Sequence, residues 1–315
     1  MEPVSEQRGY EAKKAAWPLW KKLAGAALVT ILVLAVAHNG GDSNEGSAHY
    51  RRDTFARAAI NSTSRSIWRP KVGATWQIML SVPLDPNKAI SPDVDVYDLD
   101  MHLNNATAIK RLHDAGKKVI CYFSAGSYEN WRDDKGDFKP EDLGNGVVGW
   151  PGEWWLQLSS PNVRKIMAKR VKFAADLGCD AIDPDNMDGY QNDNGLGLTA
   201  QDSISFVSFL TAEAAKYHMS TGLKNSANIV TSLVDTVDFA VNEECAAHSE
   251  CQIFSAFIQA GKPVFHIEYP DGAPDVESDT ADTMCNPSGG DRFSTVMKLL
   301  TLNAWVEYCN GAKYN

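Results

Sequence analysis

From Trp68 onward, short apolar runs rich in β-branched and aromatic residues alternate with longer segments whose apolar positions recur every three or four residues. The short runs Thr75–Ser81, Val94–Leu99, Lys118–Phe123, Ala181–Asp185, Thr221–Leu223, Val237–Asn242, Pro263–Glu268 and Ala304–Tyr308 predict eight strands. Asn104–Ala115, Pro161–Leu177, Ala200–Met219, Glu250–Ala260 and Phe293–Leu300 carry helical spacing between them. Strand then helix, repeated along the chain, predicts an α/β fold with a parallel sheet, and eight strands predict a (β/α)8 TIM-like barrel. An open doubly wound sheet shares the alternation, but no GxGxxG or GxxxxGK follows the first strand.

The punctuation agrees. Ser159-Ser160-Pro161 is a cap followed by proline in the first helical turn, and Gly178 stops the same helix. Ala115-Gly116 ends another helix and Lys118 begins a strand almost at once. Tight turns therefore follow the helices, whereas long polar loops with aromatic residues follow the strands, at the end of a barrel where active sites are assembled.

Upstream of this pattern, Leu23–Ala37 is fifteen residues without a charge, preceded by Lys13, Lys14, Lys21 and Lys22 and flanked by Trp17 and Trp20. Basic residues before an apolar run predict a cytoplasmic tail, residues 1–22, and an exported remainder. The run is short of the roughly 20 residues of a straight span, and Ala35-Val36-Ala37 resembles a cleavage site, so a retained type II anchor and a cleaved signal are both open. An anchor would engage the plasma membrane or a secretory-pathway membrane through residues 17–37; cleavage would secrete the domain. Residues 38–66 are rich in Gly, Ser, Asn and charge and read as a flexible stalk, leaving 67–315 as the folded domain.

Export changes how cysteine and charge are read. Six cysteines are an even set in an oxidising compartment, with no CxxC spacing of a zinc site. Cys245 with Cys251, and Cys285 with Cys309, are the expected disulfides, while Cys121 and Cys179 in strand contexts fit free core thiols equally well. Asn61 and Asn105 head glycosylation sequons. Beyond residue 22 the chain holds 25 basic and 37 acidic residues, a formal net of −12, which disfavours nucleic acid and suits a cationic polymer.

The acids converge on strand tips. Asp183, Asp185 and Asp188 close the fourth strand, Glu243 and Glu244 the sixth, and Glu268 the seventh. Glycoside hydrolysis needs such a set: one carboxyl donates a proton while a second attacks or activates water. The spacing of the three aspartates departs from a calcium loop, no metal or other cofactor is implied, and neither a serine elbow nor HExxH is present. Tyr122, Trp131, Trp154 and Tyr190 place flat rings in the same loops, where a pyranose face can stack. With Asp183, Asp188, Glu244 and Glu268 they form the candidate substrate-binding set.

The segments VICYFSAGSYENWR (119–132), WWLQLSSPNVRKIMAKRVKFAADLGCDAIDPDNMDGY (154–190) and FAVNEEC (239–245) resemble the fungal and bacterial endo-α-1,4-polygalactosaminidases of glycoside hydrolase family 114. The resemblance covers most of residues 68–310. It implies a barrel that cuts internally in α-1,4-linked galactosamine within galactosaminogalactan, a partly deacetylated and cationic polysaccharide, working as a monomer without a cofactor. The family's fourth-strand aspartate falls on Asp185 and its sixth-strand glutamate on Glu243. By analogy with retaining barrels these would be nucleophile and acid/base, although Glu244 directly follows Glu243. Competing readings are a silent barrel that binds wall polysaccharide and a hydrolase or transglycosylase for a different glycan.

Overall fold

Strands β1 (Trp76–Met79), β2 (Val96–Asp100), β3 (Lys118–Ser124), β4 (Ser127–Glu129), β5 (Leu143–Gly146), β6 (Glu153–Leu156), β7 (Ala181–Asp185), β8 (Ser220–Lys224), β9 (Phe239–Glu243), β10 (Val264–Glu268), β11 (Ser294–Met297), β12 (Val306–Tyr308) and β13 (Lys313–Tyr314) follow one another along the chain. They belong to a computed structural model that describes residues 66–315. Residues 1–22, the apolar segment 23–37, stalk residues 38–65 and the Asn61 sequon lie outside the described residues. Among the described residues no helix is long and apolar enough to cross a membrane.

Strands β1, β2, β3, β7, β8, β9, β10 and β11 pair in that order, each parallel to the next. Parallel strands covered on both faces should be apolar throughout, and every residue of β1, β2, β8 and β10 is buried. The sheet curls into a TIM-like barrel, and its edge strands meet through the Trp76 indole, which donates to Ser294 O at 2.7 Å, and the Ser294 hydroxyl, which donates to Ala74 O at 2.7 Å.

Alternation along each strand builds two cores. One contains strand residues such as Leu99, Cys121, Ile182 and Leu223 with helix residues Leu112, Val163 and Phe206. The other draws on strand residues Trp76, Val96, Ile120, Ala181, Phe239 and Phe265, and so fills the barrel. The rings of Trp76 and Phe239 lie 4.9 and 5.7 Å from Phe265, closing its floor.

The last strand differs from expectation. Phe293, Val296, Met297 and Leu300 have helical spacing, yet Ser294–Met297 is β11, paired parallel with β10, and the predicted strand Ala304–Tyr308 lies at β12, antiparallel to β11. Short apolar runs satisfy both periods, and sheet pairing decided this one. The preceding crossover uses helix Ser278–Cys285, which buries no residue and so left no apolar signature.

Helix termini behave as read: the Ser160 hydroxyl accepts from Asn162 N at 3.2 Å, and Gly178 caps the same helix at φ 98°. Exposed Asn105 caps helix Ala106–Asp114 by accepting from Ala108 N at 3.0 Å. The disulfides are Cys121–Cys179, Cys245–Cys251 and Cys285–Cys309, so Cys121 and Cys179 are not free thiols.

An insertion between β3 and the helix Pro161–Leu177 forms a small antiparallel sheet in the order β4-β6-β5. It is seated on the end of β7, because Ala125 N and Gly126 N both donate to Asp185 O, at 3.0 and 2.9 Å. A Cβ on Gly126 would lie 1.8 Å from Asn186 O, a backbone atom with no room to yield. Gly126→Ala is expected to destabilise the folded chain by about 2–4 kcal/mol, measured by denaturant unfolding; wild-type stability would contradict this seating.

Candidate active site

On β7, Ala181, Asp183 and Asp185 share one face, as do Phe239, Val241 and Glu243 on β9. Ala181, Phe239 and Val241 line the barrel interior, so Asp185 and Glu243 rise from the inward face at the strand tips. Lys224 ends β8, the strand between them. Its ammonium is 1% exposed and stands 4.0 Å from Asp185 Oδ2, 3.8 Å from Glu243 Oε2 and 3.8 Å from Asp183 Oδ2. The Tyr122 ring lies beneath that ammonium at 5.0 Å. Asp185 and Glu243 keep 19% and 23% of their exposure and can meet a ligand, whereas Asp183 keeps none.

Each exposed acid has its own donors. Asp185 accepts from the Tyr122 hydroxyl at 2.9 Å and from Asn186 N at 2.7 Å. Glu243 accepts from Asn225 Nδ2 at 2.9 Å and, at Oε1, from the Tyr269 hydroxyl. Burial, then the charge of Glu243, raises the Asp185 pKa above the ordinary carboxylate range, while Lys224, the Asn186 amide and Tyr122 pull it back. For Lys224 burial acts downward, but Asp185, Glu243, Asp183 and Asp98 outweigh it and hold the ammonium charged.

The residue after each strand tip takes a left-handed conformation: Asn186 at φ 65°, Asn225 at 50° and Glu244 at 64°. Asparagine tolerates that region well; glutamate does not. The Glu244 amide donates to Ile267 O at 2.7 Å, and the neighbouring Glu243 side chain makes the contacts with Lys224, Asn225 and Tyr269.

A buried charge network supports the Asp185 side. Arg132 bridges Asp100 and Glu129, each at 2.7 Å, and Arg170 binds Asp134 and donates to Ser124 O, each at 2.7 Å. Ser127 donates to Glu153 at 2.8 Å, and Asn186 Nδ2 donates to Ser124 Oγ at 2.9 Å and Ser127 Oγ at 3.2 Å. Burial pushes the Glu153 pKa up to about 7, reinforced by Glu129 and Asp185 against the pull of Ser127.

Among the predicted binding residues, Tyr122 is at the centre of the site. Trp131 is 50% exposed and packs against Gly152. Trp154 is half-buried on β6 with its ring 5.7 Å from Tyr128, while its neighbour Trp155 faces inward and is buried, as alternation requires. Tyr190 and Asp188 lie half-buried in the loop after β7, where Gln191 Nε2 donates to the Tyr190 hydroxyl at 2.6 Å and its backbone amide to Asp188 O at 2.8 Å.

Glu268 is a correction. It is fully buried, accepts from Ala246 N at 2.8 Å and contacts His266 Nε2 at 2.7 Å, so it ties down the loop after Glu243 and does not face a ligand. Its strand gives the reason: Phe265 and Ile267 face inward, which sends Glu268 outward and leaves Tyr269 to enter the site. The buried group of Cys245, Cys251 and His266 has ligand-type atoms close together, but its sulfurs are bonded to each other and hold no thiolate for a metal. Lys224, Asn225 and the Arg132 network were not anticipated from sequence; the β8 tip lying between two acid-bearing strands was the available clue.

Residues 57–314 match the model of glycoside-hydrolase family GH114. Among solved structures, the crystal structure of Aspergillus fumigatus Ega3 in complex with galactosamine is 50% identical, covers 78% of this chain and 99% of its own, and superposes with a TM-score of 0.74. The glycoside hydrolase domain of PelA from Pseudomonas aeruginosa is 13% identical over 73% of this chain and 96% of its own, with a TM-score of 0.54, a likeness of fold. A search of curated proteins gives no match.

Lys224→Met removes the cation and leaves its carboxylates uncompensated. We expect a loss of about 3–5 kcal/mol at neutral pH that shrinks as pH falls toward about 4, where protonation relieves the repulsion. Calorimetry across pH checks this; equal losses at pH 5 and pH 8 would contradict it.

Proposed function

This chain belongs to glycoside-hydrolase family GH114, and on that premise we propose that it cuts internally in α-1,4-linked galactosamine of galactosaminogalactan. The observation that carries the reading is the pair of partly exposed carboxylates, Asp185 and Glu243, gathered on one buried ammonium at the mouth of a barrel. The galactosamine held by Ega3, and the net of −12 on this chain beyond residue 22, support an amino-sugar polymer as substrate.

In the proposed mechanism Asp185 attacks the anomeric carbon while Glu243 protonates the departing glycosidic oxygen, and Glu243 then takes a proton from the water that releases the sugar. Both oxygens facing Lys224 are within one contact of the same nitrogen. That span accommodates the separation of about 5–5.5 Å needed for retention, and Tyr122 and Tyr269 fix the two carboxyl orientations. Trp131, Trp154 and Tyr190 offer stacking faces along the polymer. Residues 23–37 would tether this domain on the exported side of a membrane, with 38–66 as the stalk.

Asp185→Asn and Glu243→Gln should each lower kcat on deacetylated α-1,4-galactosamine polymer by at least about 10³ with the circular dichroism spectrum unchanged, while Glu244→Gln keeps substantial activity. Near wild-type turnover in either of the first two would remove that residue from the mechanism. Proton NMR of the freshly released reducing end should show the α-anomer first; an initial β-anomer would mean direct attack by water.

Activity should also favour the free-amine polymer over its N-acetylated form and decline with added salt, since attraction between acidic domain and polycation is screened over about 8–10 Å. Equal rates on both polymers, insensitive to salt, would sink the electrostatic part of the account.

A further inference from the structure

Two carboxyls inside the barrel take no part in that mechanism. Asp98 on β2 and Asp183 on β7 are fully buried, Asp183 one rung below Asp185 on the same face. No N–H or O–H of the described residues donates to any of their four oxygens, and Lys224 at 3.8 Å is beyond hydrogen-bond range. Asp98 and Asp183 also act on each other at close range, and two carboxyls so close in a buried site cannot both ionise.

Charge balance points the same way. Asp98, Asp183, Asp185 and Glu243 surround the one ammonium of Lys224, so full ionisation would leave three net negative charges in a pocket with little water. The charged groups facing the pair are Lys224 from β8, Asp185 from the tip of β7 and Glu243 from β9. We propose that Asp98 and Asp183 share a proton at neutral pH and thereby position Lys224: with less negative charge beneath it, the ammonium stays divided between Asp185 and Glu243. The effect on catalysis rests on the hydrolase reading above; the shared proton does not.

Burial, then mutual repulsion, raises Asp98 well above the carboxylate range, and burial with the charges of Asp185 and Glu243 brings Asp183 up to about 7 against the pull of Lys224. An acid whose pKa is raised by folding is most favourable to the fold below its unfolded value, and that contribution is lost as pH rises through the folded value. The wild-type chain therefore loses stability from this pair as pH rises from about 4 through about 7. Asparagine at position 98 can donate its amide to Asp183 at every pH and removes the titration.

The test uses the full chain. Asp98→Asn should match the wild-type Tm near pH 4 and exceed it by at least about 3 °C at pH 8. A Tm difference that does not change with pH overturns the shared proton. If Asp98→Asn fails to fold, Asp183→Asn is read by the same criterion. On deacetylated polymer, Asp98→Leu, which cannot hydrogen-bond Asp183, should lose at least about tenfold in kcat with KM little changed, and Asp98→Asn should recover most of that loss. Equal kcat in the two variants overturns the positioning role. A wild-type chain that leaves the polymer uncut removes the hydrolase reading, and the Tm titration still decides the proton.

Discussion

Nζ of Lys224 is almost wholly shielded from water and stands within 4.0 Å of Asp183, Asp185 and Glu243. An ammonium so placed would lose its proton or destabilise the fold were its counter-charges absent, and the acids around it would repel one another were it removed. Each side of this arrangement therefore holds the other. Because Lys224 ends β8 while Asp185 and Glu243 end β7 and β9, the interaction pins three adjacent strand tips in one register, and the two partly exposed carboxylates inherit the rigidity of the sheet.

The surrounding architecture serves that arrangement. Phe239 and Phe265 seal the barrel below, and Gly222 makes space for Phe239, whose ring would lie 2.4 Å from any Cβ there. The inserted sheet clamps the backbone at Asp185 from one side through Ala125 and Gly126. On the other side the Cys245–Cys251 loop is fastened to β10 by Glu268 directly after the turn at Glu244. Left-handed backbone at Asn186, Asn225 and Glu244 sits between these clamps, where the neighbouring structure can sustain it.

Much of this was legible in the sequence. Strand-then-helix alternation predicts the barrel, and apolar runs that end in carboxylates bring out Asp183, Asp185, Asp188, Glu243, Glu244 and Glu268 together, while the choice of Asp185 and Glu243 among them rests on the family resemblance. Other residues were hidden for identifiable causes. Phe293–Leu300 satisfies helical spacing, and only pairing with β10 makes it a strand. Glu268 looks equivalent to Glu243 until the one-residue offset of the pleat is fixed, and that same offset brings in Tyr269. Lys224 reads as a solvated strand end, since its burial depends on acids from four other strand positions. Glu129, Arg132 and Arg170 meet only after the insertion has folded.

The central claim is that Asp185 and Glu243 divide the reaction as nucleophile and proton donor on one ammonium. A galactosaminyl fluoride with a good leaving group and a slowed second step would trap the intermediate, and mass mapping of peptides from the quenched protein would locate the added sugar. The account predicts a single covalent sugar on the peptide carrying Asp185, absent in Asp185→Asn. A sugar attached to the Glu243 peptide, or turnover of the reagent with no covalent species formed at any time, would contradict it.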